Sequence, residues 1–131
     1  MMGVRLIKKA GGNLVEEVDK RISIIVKACN EKKGTDIKVL NLMKLTPIAD
    51  YFVIASGNST IQVMAIADEV EEKMREAGFD PSSKEGYRSG RWILLDFKDI
   101  VVHIFHREDR EFYNLERLWA DSEELLLDDM K

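Results

Sequence analysis

The sequence predicts a single α/β domain with a mixed β-sheet of about four to five strands and flanking helices. Three observations support this prediction: a strand–helix–strand succession between residues 50 and 97, a tight hairpin that ends it, and helices with one apolar stripe. A strand, a crossover helix and a second strand favour a right-handed parallel connection between residues 50–56 and 92–97. The hairpin would then add an antiparallel edge, which makes the sheet mixed.

The composition fits one folded domain. Hydrophobic residues make up 45% of the 131 residues and charged residues 34%, enough apolar material for a core and too much for a disordered chain. The single cysteine, Cys29, excludes an internal disulfide and favours a reducing, cytoplasmic setting. The N-terminal residues lack the pattern of a signal peptide, and no apolar run approaches the roughly 18 residues of a membrane helix.

The charge argues against a protein that holds nucleic acid by its phosphates. The net charge is −4 and the basic residues are scattered, whereas phosphate contacts need clustered Lys or Arg. On charge alone, the favoured explanation is that the mildly acidic balance aids solubility; if the charge does reflect a partner, that partner would be a basic protein and not RNA. The acidic residues near the C-terminus are Asp121, Glu123, Glu124, Asp128 and Asp129.

A first helix is predicted over residues 13–33. A capping box of Asn13 and Glu16 would begin it, and Gly34 would follow its end. Residues 36–42 alternate weakly and are predicted to form a strand. The apolar stripe of the helix consists of Val18, Ile22, Ile25, Val26 and Cys29.

Residues 50–56 (DYFVIAS) are predicted to form a central strand, because the segment is apolar almost throughout and suits burial on both faces. A turn leads into a second helix, for which Ser59 and Gln62 supply a capping box and Gly78 the end. Residues 81–90 are expected to be loop. The buried stripe of this helix consists of Val63, Ile66, Ala67, Val70, Met74 and Ala77.

Residues 92–97 and 100–105 are predicted to form a β-hairpin with its turn at Lys98 and Asp99. The numbers of directly paired residues then add up to 197, and side chains alternate between two faces. The face made of Ile93, Leu95, Phe97, Ile100, Val102 and Ile104 is wholly apolar and is assigned to the core. The other face is mixed, with Trp92, Leu94, Asp96, Val101, His103 and Phe105.

The mixed face has two explanations that the residues alone leave open. A second helical layer could cover it, or it could be a docking surface. Aromatic residues are enriched at interfaces, and the carboxylate of Asp96 could meet a Lys or Arg of a partner. A last helix is predicted over residues 109–127, with an apolar stripe of Phe112, Leu115, Leu118 and Trp119.

Catalytic and metal-binding patterns are not found in the sequence. His103 and His106 are three residues apart on a strand and so point to opposite faces, whereas a metal site needs three or four converging ligands. No Ser/His/Asp or Cys/His arrangement suggests nucleophilic catalysis. We therefore expect a non-enzyme without cofactor or metal, and neither DNA nor membrane as a direct partner.

Four segments carry a specific likeness in their order and spacing: residues 48–59 (IADYFVIASGNS), 92–97 (WILLDF), 100–105 (IVVHIF) and 110–119 (REFYNLERLW). Together with Glu85-Gly86, they resemble the ribosomal silencing factor (RsfS/Iojap) family. The resemblance covers residues 15–119, taken as the α/β domain. Residues 1–14 are taken as an N-terminal extension and residues 120–131 as an acidic tail, and neither is assigned a role.

The resemblance implies a nucleotidyltransferase-like fold without catalytic carboxylates. It also implies binding to the large ribosomal subunit through ribosomal protein L-fourteen, which would block joining of the small subunit and repress translation when nutrients are short. Isolated members of the family form dimers, so a homodimer of the free protein is a further expectation. The docking surface would be centred on Trp92, Leu94 and Asp96, with Glu85, Asp99 and His103 as neighbours.

Two positions depart from the family pattern. Lys98 replaces the usual glycine of the hairpin turn, and a lysine tolerates positive φ poorly. Arg91 stands where an acidic or small residue is usual, which places a positive charge beside a surface meant for a basic partner.

Two other functions remain alternatives. A ribosome-assembly adaptor would use the same site. An active nucleotidyltransferase would need a metal-binding carboxylate pair on a strand, which the sequence does not offer after Gly57.

Overall fold

The computed structural model describes residues 5–9 and 14–127, and the side chains of residues 19–127. Groups of strands and helices follow one another along this described chain. The helices are α1 (Lys20–Glu31), α2 (Thr60–Glu76), α3 (Arg107–Tyr113) and α4 (Leu115–Leu118). The strands are β1 (Arg5–Lys9), β2 (Leu14–Val18), β3 (Thr35–Asn41), β4 (Tyr51–Gly57), β5 (Ser83–Glu85), β6 (Trp92–Asp96), β7 (Ile100–His106) and β8 (Glu123–Leu126).

The eight strands form one mixed sheet in the order β2-β1-β8-β3-β4-β7-β6-β5. The predicted α/β class is confirmed, but the sheet has more strands than the four to five expected. The additional strands β1, β2, β5 and β8 lie in segments that were predicted as extension, helix, loop and helix. No helix in the described residues has the length and apolar character needed to cross a membrane.

The parallel pair of the sheet is β4 with β7, and the other neighbouring strands are antiparallel. The sequence predicted a parallel connection from residues 50–56 to residues 92–97, and this was wrong by one strand. β7 lies inside the sheet, and all seven of its residues are buried. β6 lies nearer the edge and alternates buried and half-buried residues. A strand that is apolar on both faces suits the interior of a sheet.

The hairpin of β6 and β7 has the predicted register, in which Trp92 pairs with Phe105 and Asp96 with Val101. Lys98 in its turn adopts a positive φ of 75°. The carboxylate of Asp96 accepts a hydrogen bond from the backbone N–H of Lys98 at 2.7 Å, which stabilises the turn without a glycine.

Helix α1 begins at Lys20, and its N-cap is Asp19, whose carboxylate accepts the backbone N–H of Arg21 at 2.9 Å. The prediction of a helix from residue 13 was wrong here. Residues 14–18 pair with β1, so sheet pairing overrides the local helical pattern that included Val18. The rest of the predicted stripe is buried, and the predicted cap Asn13 lies outside the described residues.

Ser59 caps α2 as predicted, but the return bond of the capping box goes to the residue before the cap. The Ser59 hydroxyl accepts the N–H of Gln62 at 3.1 Å, and the Gln62 side chain accepts the N–H of Asn58 at 2.7 Å. The same Gln62 amide donates to the carbonyls of Lys32 and Lys33 at 3.1 and 3.0 Å. The cap of α2 thereby also satisfies the carbonyls that end α1.

The two faces of the sheet are covered unequally. Helices α1 and α2 pack on one face over the larger apolar cluster, where the six core-face residues predicted for the hairpin are all buried. The opposite face carries a smaller cluster, on which the short α3–α4 segment is the only helical cover among the described residues. We call it the open face; its buried residues are Leu40, Leu42, Ala49, Phe52, Ile54, Val101 and Phe105, and Trp92, Leu94, Leu115 and Trp119 pack against them.

The predicted last helix over residues 109–127 is interrupted. Asn114 adopts the left-handed conformation (φ 48°, ψ 56°), which ends α3 and changes the direction of the chain into α4. Residues 123–126 form β8 between β1 and β3. Because a single straight helix does not form, Phe112 and Leu118 of the predicted buried stripe are 79% and 74% exposed.

Candidate docking surface

Three rows of side chains cross the open face at β5, β6 and β7, because directly paired residues point to the same side of a sheet. Leu94 lies in the middle row, between Glu85 and His103. The flanking rows contain Asp96 and Trp92. The rows are Glu85–Leu94–His103, Ser83–Asp96–Val101 and Trp92–Phe105.

Trp92 is half-buried among aromatic rings. Its ring stacks on Phe105 with centroids 4.7 Å apart, and Tyr113 of α3 packs against it at 5.0 Å. The indole Nε1 donates a hydrogen bond to Nδ1 of His103 at 3.1 Å. The indole is therefore held in place before any partner arrives.

His103 lies beneath the surface and is only 4% exposed. The ring of Phe52 packs against it at a centroid distance of 4.5 Å. Burial lowers the pKa of His103 to about 4, so its imidazole is neutral at pH 7. Since Nδ1 accepts from Trp92, the proton of the neutral ring is on Nε2, which has no hydrogen-bond partner among the described residues.

Two carboxylates lie next to Leu94: Glu85 in the same row and Asp96 in a neighbouring row. Asp96 is half-buried and Glu85 is exposed, and neither forms an ion pair with a described residue. Gly86 follows Glu85 with a φ of 77°, and an added Cβ there would collide with the carbonyl oxygen of Trp92. Because Gly86 has no Cβ, the chain after Glu85 can pass close to the backbone of Trp92.

Asp99 was predicted as a neighbour of the docking surface, but its carboxylate binds helix α1 instead. Its two carboxylate oxygens accept hydrogen bonds from Arg21 of α1 at 2.8 and 2.7 Å, and Arg21 also binds Asp19. The Arg21 guanidinium holds the pKa of Asp99 below its usual range. This ion pair connects the hairpin turn to the helix-covered side of the sheet.

Arg91, the second departure from the family pattern, is engaged by carboxylates of α3. Its guanidinium binds Asp109 at 2.6 Å and Glu108 at 3.3 Å. These two acids balance the positive charge of Arg91 beside Trp92.

Apolar side chains at the border of the open face were missed from the sequence. Tyr113 is 53% exposed and contacts both Trp92 and Phe112, the latter edge-on at 5.0 Å. On the loop between β3 and β4, Met43, Leu45 and Ile48 are exposed between the buried Leu42 and Ala49. For Tyr113 and Phe112, the sequence signal was Asn114. Asparagine readily adopts the left-handed conformation that interrupts a helix, and the break after Tyr113 leaves both rings exposed.

A polar cleft of about 570 Å³ lies at the carboxyl ends of the parallel strands β4 and β7, the usual ligand position in open α/β sheets. The buried Arg110 donates to the Ser56 hydroxyl at 2.8 Å and to Glu116 at 2.9 Å. Glu116 also pairs with Lys38 at 3.9 Å, and no three metal-binding side chains converge anywhere in the described residues.

The strands and helices that build the open face lie within a match to a known family. The sequence model described as "Ribosomal silencing factor during starvation" (RsfS) matches residues 15–131. The chain belongs to the ribosomal silencing factor family. The predicted resemblance is confirmed, and the match continues past residue 119, the last residue on which the prediction was based, to include β8.

Relatives agree with this assignment. Ribosomal silencing factor RsfS of Bacillus subtilis is 43% identical over 101 residues, which cover 77% of this chain and 86% of that protein. The chloroplastic protein Iojap of Zea mays is 37% identical over 101 residues, 75% of this chain and 42% of the maize protein. A crystal structure from Chromobacterium violaceum superposes with a TM-score of 0.76 at 38% identity, covering 77% of this chain and 84% of that one. The bacterial relative is named a silencing factor and not an enzyme.

Proposed function

We propose that this protein binds the large ribosomal subunit through its open face and represses translation by keeping the small subunit from joining. The partner on the large subunit is ribosomal protein L-fourteen. The observation that carries the proposal is the half-exposed Trp92, fixed between Phe105, Tyr113 and His103 on a sheet face that no long helix covers. Family membership supports the ribosomal target, because the relatives are named ribosomal silencing factors.

Trp92 and Leu94 form the apolar centre of the proposed interface. A tryptophan that becomes fully desolvated in a complex is a typical binding hot spot, and its truncation costs about 2–4 kcal/mol. Trp92 is already ordered by its neighbours in the free protein. Binding therefore loses little side-chain entropy at this position.

Asp96 and Glu85 give the interface its charge preference. Glu85 pairs with Leu94 across the strands and Asp96 follows it on β6, and neither has an ion-pair partner among the described residues. Each can accept a charge-assisted hydrogen bond from a Lys or Arg of the ribosomal protein. Ribosomal RNA would instead bring phosphates toward these carboxylates, which is unfavourable.

Asp99 and His103 support the surface from within. Asp99 fixes the hairpin turn through Arg21, and His103 lies under Trp92. In the proposed complex both act through their neighbours and not by touching the partner.

Sedimentation with purified large subunits tests the proposal directly. Wild-type protein is expected to co-sediment, and folded Trp92→Ala protein to remain in the supernatant. Ile61→Ala is the matched control, because Ile61 is 74% exposed on α2, the helix that covers the other face. Failure of the wild type to bind, or equal loss in both variants, would contradict the proposal.

A subunit-joining assay separates silencing from an assembly role at the same face. Wild-type protein added to purified subunits is expected to reduce joined ribosomes in proportion to its occupancy of the large subunit. Binding without an effect on joining would favour the assembly adaptor. Polysome profiles of growing and starved cells extend the test, since an assembly defect appears during growth.

A second copy of the chain is the competing occupant of the open face when no ribosome is present. The exposed Tyr113 and Phe112 extend the apolar surface that a homodimer would bury. Light scattering of the free protein decides this point. A dimer that dissociates in Trp92→Ala would place the same surface in both interactions.

A further inference from the structure

We propose that His103 is a positioning residue, which selects the orientation of the Trp92 indole that docks on the partner. The inference rests on the proposed docking role of Trp92 and deepens it. It is carried by the hydrogen bond from Trp92 Nε1 to His103 Nδ1, at 3.1 Å, between diagonal neighbours of the β6–β7 hairpin.

Stacking alone does not define how the indole is presented. Phe105 and Tyr113 pack against the tryptophan ring and fix its plane. A rotation of about 180° about χ2 would keep a similar plane while exchanging the two edges of the ring. Only one of these orientations brings the indole N–H to His103. The hydrogen bond therefore determines which edge faces the partner.

His103 is poorly suited to a purely structural role. It is 4% exposed, packs against Phe52, and its Nε2 has no hydrogen-bond partner among the described residues. Burying an imidazole with an unpaired N–H costs free energy that a leucine at the same place would not cost. What a leucine cannot supply is an acceptor for the indole N–H.

The acceptor is available at the pH of the cell. Nδ1 can accept from Trp92 only while the ring is neutral. Burial keeps the pKa of His103 at about 4, so the ring stays neutral at pH 7.

Binding of His103 variants in two backgrounds tests this role. His103→Leu is expected to weaken binding to purified large subunits roughly three- to tenfold, the effect of one neutral hydrogen bond. In the Trp92→Phe background the same change is expected to have no further effect, because phenylalanine has no N–H to orient. His103→Asn, whose amide oxygen lies near the position of Nδ1, is expected to recover part of the affinity.

The tryptophan indole N–H signals in NMR supply a readout that needs no ribosome. The chain has two tryptophans, so Trp119 is the internal reference. His103→Leu is expected to shift the Trp92 N–H signal and speed its exchange with solvent, and to affect the Trp119 signal less, because Trp119 reaches His103 only through Phe52. His103→Asn provides a second folded variant if the leucine variant does not fold.

The outcomes separate the two proposals. If the wild type binds large subunits and folded His103→Leu binds equally well, the positioning role is overturned and the proposed function stands. An equal loss in the Trp92 and Trp92→Phe backgrounds also overturns it, because His103 would then act independently of the indole N–H. If the wild type does not bind, the proposed function itself fails.

Discussion

The two faces of one sheet differ in how their side chains are satisfied. On the helix-covered face, the β6 and β7 residues are apolar and buried under two long helices. On the open face the same two strands present a half-buried tryptophan, a buried histidine and a carboxylate. Adjacent residues of one strand thus have separate surroundings: those on one side stabilise the core, and those on the other form the surface that we propose for recognition.

Leu94 and Leu95 give the sharpest test of this separation, because they are neighbours with identical side chains on opposite faces. Leu95 is 0% exposed, and Leu95→Ala is expected to lower the free energy of unfolding by about 2–5 kcal/mol. Leu94 is half-buried, and Leu94→Ala is expected to cost about 1 kcal/mol. Urea unfolding measures both.

Binding to large subunits should rank the two leucine variants in the opposite order. Leu94→Ala is expected to weaken binding, and folded Leu95→Ala to bind nearly as wild type does. Equal losses of stability would contradict the division of the sheet into two faces with separate purposes.

The pH dependence of stability also distinguishes the two faces of the sheet, because the buried His103 belongs to the open face. His103 has a pKa of about 4 in the folded protein against an ordinary 6.5. Between these values the unfolded chain binds a proton that the folded protein does not, so stability falls as the pH falls. The full loss is about 3 kcal/mol and is complete below pH 4.

Urea unfolding of the wild type and of His103→Leu between pH 7 and 5 checks this expectation. The variant is expected to lose less stability over that range. The carboxylates of Asp19 and Asp99 have pKa values lowered from 3.8 and so contribute at lower pH. Parallel curves for the two proteins would mean that His103 is not the group responsible.

Phe112 should give the smallest effect, and one on binding alone. It is 79% exposed at the border of the open face and touches Tyr113, which in turn packs on Trp92. Phe112→Ala is expected to weaken large-subunit binding by about 1 kcal/mol and to change stability by less than about 0.5 kcal/mol. The Ile61→Ala protein is again the control, and an equal loss in that variant would count against an extended docking surface.

Local signals predicted much of the fold. The register of the hairpin followed from its turn, the central strand β4 from its apolar run, and the start of α2 from Ser59 and Gln62. Strands β1 and β8 were missed because each pairs with a segment far away in the chain, and β2 was missed because it pairs only with β1 in the described sheet. Val18 fits a helical stripe by spacing, and only its pairing with β1 makes it part of a strand.

For the candidate site, the sequence predicted which side chains share a face but not how deeply each is buried. Alternation along β6 placed Trp92, Leu94 and Asp96 on one face, as the structure has them. It could not tell what covers that face, so the burial of His103 and the exposure of Phe112 had to come from the structure. Asp99 illustrates the same limit, because its ion pair with Arg21 joins segments far apart in the chain.

Strand β8 has a consequence for how the molecule is assembled during synthesis. It pairs through Leu125 with Val39 of β3 and through Leu126 with Lys8 of β1, and so joins the earliest strands to the middle of the sheet. Until residues 123–126 have been translated, β1 and β2 can pair only with each other. An isolated two-stranded hairpin of this kind is marginally stable at best. The nascent chain can close its β3–β7 core first. Its N-terminal strands must wait for the C-terminal segment to leave the ribosome that made it.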